Sequence, residues 1–116
     1  MNNYGVIDKK IISKGEKSLE LEFKISGDSL YFDGHFPEFK LLPAVAQIDI
    51  VTSIADEYFA VGTFLKEIKR IKFVSPLLPE TLVKLSLVFE SEKNLVTFGL
   101  SSKDDGRVFC QGSYSI

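Results

Sequence analysis

Asp33-Gly34-His35-Phe36-Pro37-Glu38-Phe39-Lys40-Leu41-Leu42-Pro43-Ala44-Val45-Ala46-Gln47-Ile48-Asp49 is the stretch on which the fold turns. Its first part belongs to a longer segment, residues 26 to 42, that holds Gly27, Gly34 and Pro37 and little periodicity. Such a segment reads as an irregular loop, an unusual use of residues in a small chain. At Pro43 the pattern changes. Proline suits a first helical turn, where its missing N–H costs nothing, and the spacing predicts a helix from Pro43 to about Phe59. At 100° per residue, Ala44, Ile48, Val51, Ala55, Tyr58 and Phe59 share one face, which is expected to pack on a sheet. Asp49, Thr52, Ser53 and Asp56 fall on another side, and Gly62 follows as a turn.

Outward from this helix the period falls to two. Leu19, Leu21, Phe23 and Ile25 alternate with polar residues, as a half-buried strand does. Val6 to Ser13 reads as a weaker strand before it, joined through Lys14-Gly15-Glu16-Lys17. Beyond the helix, Phe64 to Val74, Leu82 to Ser91, Leu95 to Ser102 and Arg107 to Ile116 read as strands. Ser75 to Pro79, Glu92-Lys93-Asn94 and Asp104-Asp105-Gly106 separate them with turn chemistry. Two strands, a long loop, one helix and a four-stranded meander favour an α+β fold in which an antiparallel sheet cradles the helix. All of it fits one domain spanning residues 1–116.

Composition narrows the function classes. The chain has 116 residues, 45% hydrophobic and 26% charged, with ten Phe and four Tyr, enough apolar matter for a core. A net charge of −2 gives no global basic field, so no nucleic-acid partner is expected. One cysteine, Cys110, excludes an internal disulfide and a cysteine-built metal cluster, and reads as a small buried strand residue. The polar start and the lack of any apolar run near ~18 residues predict no secretion signal and no membrane span, hence a cytoplasmic protein.

Gly34-His35-Phe36-Pro37, then Pro43-Ala44-Val45, then Asp49 fourteen positions after the histidine, resembles the 3-hydroxyacyl-acyl-carrier-protein dehydratases of the hotdog fold. Their loop-to-helix junction reads G-H-F-P, then P-G-V, then an acidic residue. Asp at the acidic position is the choice of the 3-hydroxydecanoyl type and of the compact, ApeI-like thioester dehydratases of aryl-polyene pathways, and the run Leu42-Pro-Ala-Val-Ala-Gln-Ile-Asp49 is most similar to the second group. Ile71-Lys-Phe-Val-Ser-Pro76 followed by Pro79 continues the likeness. Two positions depart: Ala44 replaces the family's glycine, and Lys40 stands where a proline is common. The change to alanine keeps the backbone N–H but adds a methyl group where substrate approaches closely.

The resemblance implies a chemistry that suits these residue types. Dehydrating a 3-hydroxyacyl thioester requires removal of a proton at C2 and delivery of one to the departing hydroxyl. A histidine titrating near neutrality can be the base, and a shielded carboxylic acid can donate. Negative charge gathers on the thioester oxygen, and an N–H at a helix N-terminus stabilises it, such donors being worth ~3 kcal/mol. By resemblance His35 is the base, Asp49 the acid or the orienter of the hydroxyl, and the Ala44 N–H the oxyanion donor, with Gly34, Phe36 and Pro43 beside the substrate. The family further implies no metal, no organic cofactor, an acyl-carrier-protein or coenzyme A thioester as substrate, a cis peptide at His35-Phe36, and a homodimer whose active sites are shared between subunits.

The plainer readings stand beside these. A lone loop histidine is usually solvated, and Asp49 shares its sector with Thr52, Ser53 and Asp56. Lys66, Lys69, Arg70 and Lys72 form a local basic patch, either outward strand positions or a docking place for an acidic carrier protein. Tyr31, Phe32, Phe36 and Phe59 either line an acyl tunnel or belong to the core. Two rival functions remain: a hotdog acyl-thioesterase, whose carboxylate would activate water without His35, and a non-catalytic acyl-binding subunit.

Overall fold

The computed structural model describes residues 6–26, 44–78 and 80–116. It contains strands β1 (Val6–Lys14) and β2 (Ser18–Ile25), helix α1 (Ala44–Phe59), and strands β3 (Glu67–Phe73), β4 (Leu82–Glu90), β5 (Leu95–Ser102) and β6 (Val108–Ser115). Every strand read from the sequence is present, with β3 starting three residues later than the alternation suggested. All six form one sheet in the order β1-β2-β4-β5-β6-β3, and every pairing is antiparallel. The sheet thus begins with the hairpin before α1 and ends with the strand directly after it.

Register explains the core. Leu21, Leu85, Leu100, Cys110 and Phe73 lie opposite one another across five strands, as do Leu19, Leu87, Phe98, Gly112 and Ile71 in the next row on that face. A third row joins Phe89, Val96, Tyr114 and Ile68. Because side chains alternate with period two, these rows share one face of the sheet. Most of them bury there in a single cluster with Ala46, Ile50, Val51, Ile54 and Ala55 of α1. Each fully buried Leu, Ile, Val or Phe contributes about 1.5–3 kcal/mol relative to an exposed one.

The helix packs on a different stripe from the one predicted. Ala46, Gln47, Ile50, Val51, Ile54 and Ala55 are buried, whereas Ala44 is exposed and Ile48, Tyr58 and Phe59 are only half-buried. At 100° per residue the buried stripe is turned by roughly 80° from the expected one. The expected stripe had passed over the isoleucines of 50 and 54 in favour of the aromatic residues near the C-terminus. Thr52, placed by the pattern on the polar side, is 4% exposed, and its hydroxyl donates to the Asp49 carbonyl at 3.2 Å. After Phe59 the chain leaves the helix through Ala60, whose φ of 55° is left-handed. The Asp56 carboxylate accepts the Gly62 N–H at 2.8 Å and secures that exit.

Strand β3 joins the sheet through one unusual contact. A bulge between Ile68 and Arg70 brings the β3 backbone against Gly112 of β6. A Cβ on Gly112 would stand 1.9 Å from the Arg70 carbonyl oxygen and 2.7 Å from the Ile71 Cα. Only glycine permits that approach.

Candidate active site on the first turns of the helix

Two of the residues singled out in the sequence sit on α1. Ala44 is its first residue, so its N–H is among those with no partner inside the helix, at the end where the helix dipole is positive. Asp49 lies one turn and a half further on, about 7.5 Å along the axis at 1.5 Å per residue. It is half-buried, on the side of α1 opposite the packed stripe. His35, Gly34, Phe36 and Pro43, and the His35-Phe36 peptide, lie outside the described residues, as do Tyr31 and Phe32.

The three carboxylates of α1 differ in what holds them. Asp56 caps the helix exit through Gly62. Glu57 forms an ion pair with Lys9 of β1 at 2.6 Å. Among the described residues, the Asp49 carboxylate has neither an ion pair nor a hydrogen bond; only its backbone carbonyl is engaged, by Thr52. A half-buried carboxylate with no structural partner is a group free to meet a substrate or a residue of the preceding loop. This separates Asp49 from Asp56, its neighbour in the polar sector.

Two buried polar residues of α1 were not anticipated. Gln47 is 4% exposed on the sheet-facing stripe, between Ala46 and Ile50. Its position one turn before Val51 and Ile50 was the signal available, but an apolar-only face overlooks it. Thr52 was assigned to solvent. On β6 the Tyr114 ring packs 6.2 Å from that of Phe98, and its hydroxyl is buried without a partner among the described residues. Burial pushes the Tyr114 phenol up to about 12. The same cause raises the Cys110 thiol to about 12, so it stays protonated and unreactive, as a small buried strand residue should.

The side of α1 nearest β3 is incompletely covered. Ile68 and Phe73 point to the helix face by register, yet they are 55% and 46% exposed. Phe64 and Val74, flanking the strand, are exposed as well.

The family described as ApeI-like, ApeI dehydratase, matches residues 11–113, nearly the whole chain. The chain belongs to the ApeI-like dehydratase family. Solved structures agree with that membership. The ApeI-like chain is similar to the dehydratase heterocomplex ApeI:P from Xenorhabdus doucetiae, with 28% identity and a TM-score of 0.82 over 95% of this chain and 94% of that one. An uncharacterized protein from Erwinia carotovora subsp. atroseptica is 31% identical, with a TM-score of 0.80 over 95% and 92% of the two chains. Mouse thioesterase superfamily member 2 shares the fold at 17% identity and a TM-score of 0.65, covering 91% of this chain and 78% of that one. No curated protein sequence matches. The six-stranded antiparallel sheet with its single helix is therefore the hotdog fold, shared by ApeI-like dehydratases and thioesterases alike.

Proposed function

We propose that the protein dehydrates 3-hydroxyacyl thioesters carried on an acyl carrier protein to trans-2-enoyl thioesters, as one step of fatty-acid or polyene-type synthesis. The observation that carries this reading is the state of Asp49. In an ApeI-like chain it is the one carboxylate of α1 without a structural partner among the described residues, and it stands fourteen positions after His35. His35 removes the C2 proton, and electron density moves onto the thioester oxygen, where the Ala44 N–H stabilises it. As the C2–C3 double bond forms, the C3–O bond breaks, and Asp49 gives its proton to the departing hydroxyl, which leaves as water. Ala44 and Asp49 share one rigid helix, so the spacing between oxyanion donor and acid is fixed before substrate arrives. The neighbouring Thr52 hydroxyl, bonded to the Asp49 carbonyl, steadies that turn. The methyl of Ala44 narrows the entrance beside the oxyanion donor, which bears on the acyl groups accepted.

The same reading has two copies of the chain pairing, with His35 of one site facing Asp49 from the other subunit. The exposed apolar side chains on and beside β3 support pairing along that edge. Hydration of a 2-enoyl thioester, followed by loss of absorbance of this conjugated substrate, tests the reaction in reverse. His35→Ala and Asp49→Asn are each expected to lower turnover by about a thousandfold, in line with the loss of a general acid or base. Unchanged turnover in both defeats the mechanism. Thiol release without any hydration would make the protein a thioesterase instead.

A further inference from the structure

The face of the sheet turned away from α1 carries a groove of about 470 Å³ that the dehydratase reading does not use. Lys69, Arg70 and Lys72 of β3 line it together with Thr97 of β5 and Gln111 and Ser113 of β6. Register makes the arrangement regular: Thr97, Ser113 and Arg70 lie opposite one another in one row, and Gln111 and Lys72 in the next. All of these side chains alternate away from the core rows, so they stay on the surface whether or not the β3 edge pairs with another strand.

Charge divides this face into two halves. On the side of β2 and β4 each carboxylate has a lysine: Glu20 with Lys84 at 2.8 Å, and Glu22 with Lys103 at 2.8 Å. On the side of β3 the balance fails. Lys69 pairs with Glu67, but Arg70 and Lys72 have no acidic partner among the described residues, and no Asp or Glu lines the groove. The chain as a whole is acidic, with a net charge of −2, so this excess runs against the global charge. Beside the two free cations and Lys69, the groove offers neutral donors, two hydroxyls and an amide.

We propose that the groove binds an organic phosphate, with the phosphate held between Arg70 and Lys72. Residues two apart on one strand face place their Cα atoms about 6.6 Å from each other, a separation that long side chains close around one anion. A guanidinium fork takes two phosphate oxygens and an ammonium a third. The Thr97 and Ser113 hydroxyls and the Gln111 amide supply further donors. A carboxylate has too few acceptor positions to engage this set. The volume lies within the ~300–1,000 Å³ typical of small-molecule sites and exceeds what a bare phosphate fills, so the ligand carries an organic group beside it. Two sources share this chemistry: a free nucleotide-type phosphate, and the phosphorylated pantetheine arm on which thioesters travel.

Calorimetry on the intact chain at low ionic strength decides the matter without any turnover, so its result is independent of the dehydratase reading. The probes are adenosine 3′,5′-bisphosphate, 4′-phosphopantetheine, and pantetheine lacking the phosphate. Binding of one or both phosphates but not of pantetheine is expected, and the tighter of the two identifies the source. Affinity should fall as salt rises. Arg70→Ala with Lys72→Ala, both at exposed positions, should weaken it by about tenfold or more. Ser113→Asp, which places a negative charge in the same groove, should do the same, whereas Lys84→Ala with Lys103→Ala on the opposite half should not. The proposal is overturned if neither phosphate binds at millimolar concentration. It fails equally if pantetheine binds as well as its phosphate, or if the Arg70 and Lys72 changes leave binding intact.

Discussion

The two edges of the sheet are built differently, although each ends in an open strand. At one edge, β1 pairs with β2 through a ladder interrupted twice, between Ile7 and Lys10 and between Ile11 and Ser13. Asp8 within it has a left-handed φ of 55°. Lys9 and Lys14 fold back over the Tyr58 ring, 5.4 and 5.6 Å from its centroid, and Lys9 also reaches Glu57. Bulges and lysines are the devices by which a sheet edge refuses another strand, and here they divide the exposed isoleucines of β1 into short pieces. At the other edge, β3 runs in regular register from Arg70 to Phe73 after its single bulge, and Ile68 and Phe73 remain uncovered. In the proposed dimer one edge is a border and the other a joint. The difference lies in ladder regularity more than in hydrophobicity, since both edges expose large apolar residues.

The largest effect on this contrast is expected at Gly112. Gly112→Ala would drive a methyl group into the Arg70 carbonyl and the Ile71 Cα, which are backbone atoms and cannot rotate aside. Separation of β3 from β6 should cost about 3 kcal/mol, seen as a lower urea midpoint together with loss of the oligomer. Gly99→Ala on the adjacent strand is the control, because a Cβ there meets nothing within 4 Å; its stability should change little. Comparable losses in both variants would remove the special status of the β3 junction.

A smaller change probes the edges directly. Ile68→Lys or Phe73→Lys should shift the protein toward monomer in light scattering, while Ile11→Lys on β1 should leave its mass unaltered. Each substitution replaces an exposed side chain, so folding stability should vary by no more than about 0.5 kcal/mol. If Ile11→Lys dissociates the protein and the β3 variants do not, the joint and the border must be exchanged.

Much of this architecture could be read before any coordinates. Alternation in Leu19–Ile25 located a strand because the sheet has one buried and one solvated face, the situation in which a period of two is clearest. The helix was legible as an element, but its buried stripe was not. An apolar-only face admitted Tyr58 and Phe59 and excluded Gln47 and Thr52, which are polar and buried. The Gly112 junction left no local signature at all, since its cause is a bulge in a strand some forty residues earlier. For the site, spacing singled out Asp49 among similar carboxylates, and the structure supplied a physical distinction in the partners that Asp56 and Glu57 have. Neither the groove nor the unpaired state of Arg70 and Lys72 follows from the run of cations alone, because both depend on which strands lie beside β3.

The gentlest test concerns the support beneath the joint. Cys110 lies opposite Phe73, and Tyr114 opposite Ile68, so both buried acids of β6 underlie β3. Burial raises the thiol from 9.0 to about 12 and the phenol from 10.0 to about 12. In the folded chain each keeps its proton until about pH 12, while in the unfolded chain the thiol loses it near 9.0 and the phenol near 10.0. Between those limits the unfolded state binds fewer protons, so stability must fall as pH rises; below pH 9.0 neither group contributes any slope. Urea unfolding at stepped pH should therefore show a decline beginning near 9.0 in the native sequence and near 10.0 in Cys110→Ala. Tyr114→Phe should flatten the upper part of the curve. It also removes a buried hydroxyl that has no partner among the described residues, so at neutral pH it should be no less stable than the native chain. A marked loss there would mean that the hydroxyl is satisfied after all, by a group that the strand β3 side of the core brings to it on assembly.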